Sequence, residues 1–206
     1  MLGDTQKKGL LIVFSAPSGC GKDTVLARLE KEADFRRSIS MTTRQMRDGE
    51  TDGVDYYFVT QDYFLKKLEQ GQILEYTNYN GNYYGTPKSV IDDWLKKGET
   101  VILKIEVEGA ENIKKLYPDS IGIFLIPPSI KILEQRLRNR SSETEDEVQS
   151  RMTIARNELK HAVNYDYIVV NDLLDDAIED IKSIIRSEKH KTERSKNIIR
   201  EVINNA

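Results

Sequence analysis

The chain has 206 residues, 38% of them hydrophobic and 32% charged, which suits one substantial α/β domain carrying a small inserted lobe or lid. Its 31 basic and 34 acidic residues leave a net charge of −3, which excludes a global pull toward nucleic acid, so any anion site must come from local clustering. The lone cysteine, Cys20, excludes an intramolecular disulfide; with no apolar run of membrane-spanning length and no apolar leader in MLGDTQKKG, a cytoplasmic protein without membrane or nucleic-acid partners is expected.

In chain order, LLIVFS predicts a strand over 10–15, and the segment that follows opens a helix over 22–33. Residues 36–86 break the pattern: they are rich in Tyr, Gly, Asn, Thr and Asp, with strand-like pieces DYYFV, ILEYTNY and NYYG, and predict an inserted β-rich lobe. Alternation then resumes with a helix over 87–97, a strand over 101–107, a helix over 108–116, a strand over 121–126 and a helix over 128–139. SSETEDEV loads acids onto the first turn of a helix over 143–164; a strand over 167–170 and a helix over 173–188 follow. Short β-branched strands separated by helices predict a mainly parallel core sheet covered by helices. The final stretch places Ile198, Ile199, Val202 and Ile203 on one helical face, expected to be a surface helix packing on its own domain, with an oligomer contact as the alternative.

The segment SAPSGCGKDT (15–24) has the layout of a phosphate-binding loop: an apolar strand, Gly19 and Gly21, then Lys22 opening a helix. The glycines let backbone N–H groups turn toward an anion, the helix N-terminus adds partial positive charge, and Lys22 reaches the outer phosphates. Two positions depart from the strict pattern. Ala16 stands where the first glycine belongs, and Asp23 stands where a magnesium-binding hydroxyl follows the lysine; Thr24 offers a hydroxyl one position later. Cys20 reads as a small filler, since no partner base is evident.

Downstream, Thr42, Thr43, Arg44, Arg47, Glu50, Gly53, Tyr56 and Phe58 meet every fixed position of the guanylate kinase signature, and the chain resembles that family from about Gly9 to about Arg186. The resemblance implies a three-layer P-loop kinase fold with a parallel core sheet (9–35, 87–135, 165–186), a GMP-binding lobe (36–86), a helical lid (136–160) and a C-terminal helical extension (187–206). It implies transfer of the γ-phosphoryl group of ATP to GMP, and to dGMP, with Mg²⁺ accompanying ATP and no metal ligand assigned with certainty. The chain would act as a monomer or homodimer.

By this resemblance ATP is held by Ala16, Pro17, Ser18, Gly19, Cys20, Gly21, Lys22, Asp23 and Thr24, with Arg136 and with Asn171 near the adenine. GMP is held by Ser40, Arg44, Arg47, Glu50, Tyr56, Glu75, Tyr84, Gly85, Thr86 and Glu106. The chemistry agrees. Arg44 and Arg47 can fork onto one phosphate and Tyr56 and Tyr84 can donate hydroxyls to it. Glu75 can accept from both N1–H and the exocyclic amine of guanine, whereas adenine would leave it unpaired. Lys22, Arg47 and the lid arginines Arg140 and Arg151 are the expected catalytic set; the acceptor oxygen is already ionised, so no general base is needed.

One departure stands out. The family strand facing the loop ends in two acids one residue apart, and here it reads Lys104-Ile105-Glu106. An acid gained at Asp23 and an acid replaced at Lys104 suggest a charge swap in which these two pair within about 4 Å. Two rival readings remain at this stage: a non-catalytic interaction module of guanylate kinase-like fold, and a ribose bisphosphate kinase with a similar loop.

Overall fold

The computed structural model describes residues 9–79, 81–139 and 145–204. A five-stranded sheet has the order β2-β7-β1-β8-β9, with β1 at Leu10–Ser15, β2 at Arg36–Ser38, β7 at Thr100–Lys104, β8 at Ile121–Ile126 and β9 at Tyr167–Val170. β2 runs parallel to β7, and β8 parallel to β9. All six residues of β1 are buried, as expected for an apolar run without alternation in the middle of such a sheet. The described residues divide into two compact units, 9–13 with Phe35–Ser120 and 197–204, and Phe14–Asp34 with Ile121–Lys196.

The first unit holds a second, four-stranded sheet of order β4-β3-β6-β5, built from β3 (Met41–Thr42), β4 (Tyr57–Phe58), β5 (Ile73–Tyr79) and β6 (Asn82–Pro87). β6 is antiparallel to both β3 and β5. Between Ile73↔Pro87 and Tyr76↔Gly85, β5 advances three residues while β6 advances two, so β5 carries a bulge. The consequence is three consecutive buried residues, Ile73, Leu74 and Glu75, where simple alternation would turn one outward. In this unit α3 (Lys88–Lys96) packs on β2 and β7, and α4 (Val107–Leu116) packs on β5.

The second unit contains α1 (Lys22–Glu32), α5 (Ile130–Arg138), α6 (Glu145–Leu159) and α7 (Leu174–Lys189). Val25, Leu26 and Leu29 of α1 and Ala177, Ile178, Ile181 and Ile185 of α7 are buried, each set spaced as one helical stripe, and α1 packs on α7. Ser129 caps α5 by accepting from the Ile132 N–H at 3.2 Å.

The structure corrects the sequence reading at several places. Arg36–Ser38 belongs to the core sheet rather than to the inserted lobe; three residues are too few for a recognisable pattern. The lobe also contains a helix, α2 (Gln61–Glu69), capped by the Thr60 side chain and anchored by the buried Phe64. The strand expected over 101–107 stops at Lys104, and Glu106 takes the N-cap position of α4. Ile105 and Val107 are buried in the turn, and that burial produced the strand-like pattern. The helix expected through 164 tightens into a 3-10 turn over Lys160–Asn164. A helix, α8 (Thr192–Asn204), forms where expected, but Ile199, Val202 and Ile203 are 50%, 59% and 68% exposed rather than packed.

Candidate active site

In the second unit the loop between β1 and α1 is shaped by two left-handed glycines, Gly19 (φ 86°) and Gly21 (φ 84°). Side chains there would be strained and also crowded: a Cβ on Gly21 would lie 2.7 Å from Asn171 Nδ2, and one on Gly19 2.8 Å from Leu137 Cδ2. The Cys20 N–H donates to the Pro17 carbonyl at 3.2 Å and closes the turn. Burial pushes the Cys20 thiol up to about 12, against the pull of Arg136, with Glu158 adding to the rise and Lys22 opposing it. A thiol in that state is a filler and not a nucleophile, as read from the sequence.

Asn171, expected near the adenine of ATP, is itself held by the protein. Its Nδ2 donates to the Cys20 carbonyl at 2.7 Å, and its own carbonyl accepts from Arg136 Nη2 at 2.9 Å. Its N–H donates to Ile126 at 2.8 Å. Asn171, 6% exposed, thus ties the loop to β8 and α5. Arg136 Nη1 is buried with no hydrogen-bond partner among the described residues. A buried guanidinium N–H in that condition is suited to an anion.

Lys22 is half-buried, while Asp23 and Thr24 are exposed on the first turn of α1; Ala16 and Pro17 are buried. Arg151 lies half-buried on α6, and Arg140 falls outside the described residues. The Ser18 N–H donates to Glu158 Oε2 at 3.4 Å, so a carboxylate from α6 meets the loop's backbone. The sequence reading missed Glu158; its only signal is that it lies two turns from Arg151 on the same helical face.

In the first unit Arg44 and Glu50 form a two-pronged pair, Nη1 to Oε2 at 3.0 Å and Nη2 to Oε1 at 2.7 Å. Glu50 Oε2 also accepts from the Arg47 N–H at 2.8 Å. Burial works against the ionised Glu50, but the bonds from Arg44 and Arg47 win and hold its pKa below the usual carboxylate range. Arg44 is raised above its usual value, first by the hydrogen bond to Glu50 and less so by the Tyr84 hydroxyl beside it. Glu50 therefore shapes the arginine turn, while the Arg47 side chain stays exposed.

Arg44 Cζ sits 5.6 Å from the ring centroids of both Tyr56 and Phe58, and the Tyr56 and Tyr84 rings meet edge-on at 6.0 Å. Lys104 Nζ lies 4.8 Å from the Tyr56 ring centroid. Tyr56, Tyr84 and Lys104 line one side of a cavity whose other walls include Ser40, Glu75, Gly85 and Glu106.

Glu75, 7% exposed, accepts from Thr86 Oγ1 at 2.6 Å. Burial lifts its pKa to about 7; the Thr86 bond opposes that shift and the charge of Glu106 adds to it. On α4, Gly109 has no side chain because there is no space for one: a Cβ would lie 2.4 Å from Glu75 Oε2. The sequence showed Gly109 only as a glycine inside a predicted helix, which is itself a sign of close packing. Asp23 lies in one unit and Lys104 in the other, and the expected pair between them is a relation the two units do not individually describe.

Among the described residues no cluster of three His, Cys, Asp or Glu side chains could hold a metal. Likewise, no described helix is long and apolar enough to cross a membrane.

The guanylate kinase family model matches residues 8–188. A guanylate kinase of Oceanobacillus iheyensis is 46% identical over 190 residues, spanning 92% of each chain. One from Clostridioides difficile is 45% identical over 194 residues, 94% of this chain and 95% of that one. The crystal structure of guanylate kinase from Anaplasma phagocytophilum superimposes with a TM-score of 0.79 at 31% identity, covering 93% of this chain and 92% of that one.

Proposed function

The chain belongs to the guanylate kinase family, and on that premise we propose which residues carry its reaction, the transfer of the γ-phosphoryl group of ATP to GMP to give ADP and GDP. The loop over 16–24, with Arg136, takes the triphosphate of ATP. The cavity around Glu75 takes guanine, Glu75 and Thr86 reading the base edge. Arg44, Tyr56 and Tyr84 take the acceptor phosphate, and Glu50 holds Arg44 in place. Asn171 acts on ATP through the loop it supports.

The observation that carries this assignment is Glu75: a carboxyl group buried against Thr86 and Gly109, on the wall of a cavity it shares with Tyr56 and Tyr84. A guanine edge supplies two donors to it and stabilises its ionised form, whereas adenine supplies an acceptor and leaves the charge unpaired.

The phosphoryl acceptor is an oxygen that is ionised at neutral pH, so the protein's contribution is alignment and charge neutralisation. Lys22, Arg47, Arg140 and Arg151 supply the cations, the last two from the lid. Mg²⁺, when bound, neutralises the charge that builds on the phosphate oxygens. Its usual site combines substrate phosphates and waters with one or two protein oxygens, and the Thr24 hydroxyl suits that need without a dedicated cage. The enzyme would work on free nucleotides in the cytoplasm.

The test is ADP formation from ATP with GMP, dGMP, AMP and ribose 1,5-bisphosphate offered separately. Turnover is expected with GMP and dGMP, and little with AMP. Turnover with ribose 1,5-bisphosphate and none with GMP would overturn the assignment.

A further inference from the structure

β7 is buried along four residues and emerges at its C-terminal end as Lys104, the edge of a parallel sheet where ligands bind. Lys104 brings a cation to a position that lines the cavity holding Glu75, Tyr56 and Tyr84. Its ammonium group lies over the ring of Tyr56, at 4.8 Å from the centroid. The guanidinium of Arg44 sits 5.6 Å from that same centroid. Two cations thus share one aromatic ring, while Glu75 is fixed elsewhere by Thr86 and by the close approach of Gly109.

We propose that Lys104 binds the phosphate of the GMP acceptor, acting with Arg44 across the Tyr56 ring as a second phosphate-binding cation. The proposal rests on the guanylate kinase assignment and extends it to a residue outside the family signature. The physical reason is simple. The acceptor phosphate is a dianion entering a pocket that already holds Glu75 and Glu106, and a second cation offsets that repulsion. A lysine on a flexible stem can also swing its ammonium from the Tyr56 ring toward a bound phosphate.

The experiment compares the full-length wild type with Lys104→Met, Lys104→Arg and, should the methionine variant fail to fold, Lys104→Gln. The readouts are KM for GMP, KM for ATP and inhibition by guanosine, which offers the same base without phosphate. Loss of one charge-assisted contact predicts a KM for GMP raised roughly tenfold in Lys104→Met. KM for ATP and the guanosine inhibition constant stay within about twofold, and Lys104→Arg recovers most of the loss. An unchanged KM for GMP overturns the proposal. So does a rise confined to ATP, which would place the lysine on the donor side as a partner of Asp23. Equal weakening of GMP and guanosine also overturns it, since the pocket itself would then have failed. A wild-type enzyme inactive on GMP would instead sink the functional assignment.

Discussion

The side-chain amide of Asn171 donates to the carbonyl of Cys20 at 2.7 Å, so the residue after β9 holds the middle of the loop proposed to take the phosphates of ATP. Replacing Asn171 by Ala removes that donor and leaves a buried carbonyl unpaired, a cost of about 1–3 kcal/mol. The expected result is a lower melting temperature together with a KM for ATP raised several-fold, while KM for GMP changes little. Asn171→Asp should be worse, because a carboxylate would face the carbonyl it replaced a donor to. Steady-state kinetics against each nucleotide, with thermal unfolding, check both.

Gly109→Ala makes a different kind of prediction. A methyl group there meets Glu75 Oε2 at 2.4 Å, and the carboxylate end must move. A side-chain tip can shift at modest cost, so stability should fall only by about 1 kcal/mol, the small end of overpacking effects. Base recognition should suffer more, with kcat/KM for GMP down roughly tenfold or beyond, as expected when a positioned polar group is displaced. If the melting temperature collapses and the residual activity keeps its normal KM for GMP, the steric link to Glu75 is wrong.

Some of this was legible in the sequence and some was not. The loop over 16–24 and the run from Thr42 to Phe58 announce themselves because phosphate binding needs specific residue types at close spacing. Lys104 and Glu106 looked like one strand because Ile105 and Val107 are apolar; burial by a turn and burial by a sheet leave the same trace. Gly109 and Glu158 act across long chain separations, on Glu75 and Ser18 respectively, and local pattern carries no record of such contacts. Arg44 and Glu50 fall in between: their types were predicted, but their use of each other was not.

Glu75 predicts a pH dependence. Its pKa in the folded chain is about 7 against an ordinary 4.5, chiefly because burial penalises the charge. A raised pKa means the native state binds the proton more tightly, so this stabilising contribution is complete below the ordinary value and is lost as pH rises through about 7. Glu75→Gln, uncharged throughout, should therefore gain stability relative to wild type on going from pH 5 to pH 8. Urea unfolding at those two values measures it.

The same titration has the opposite consequence for binding. Guanine needs the ionised carboxylate as acceptor, so affinity for guanosine should weaken by up to tenfold per unit as pH drops below about 7. Guanosine is the better probe because GMP's own phosphate protonates near pH 6 and would confuse the profile. A flat guanosine profile between pH 5.5 and 8 would contradict the role given to Glu75.

Glu50→Gln tests the arginine turn. It removes the negative charge that fixes Arg44, leaves one acceptor oxygen where there were two, and weakens the bond from the Arg47 N–H. KM for GMP should rise roughly tenfold, the scale of a charge-assisted bond, with guanosine inhibition unaffected. Direct contact of Glu50 with the base would instead weaken guanosine as well.

The bulge in β5 sets a direction as well as a register. With Ile73, Leu74 and Glu75 all buried, the carboxyl proposed above to read the base owes its direction to one surplus residue and not to strand alternation. A single-residue deletion at Leu74 would remove that surplus and restore alternation, turning Glu75 toward the opposite face while leaving its carboxyl intact. Under the proposed assignment, base selectivity then depends on the length of β5 as well as on the residue at 75.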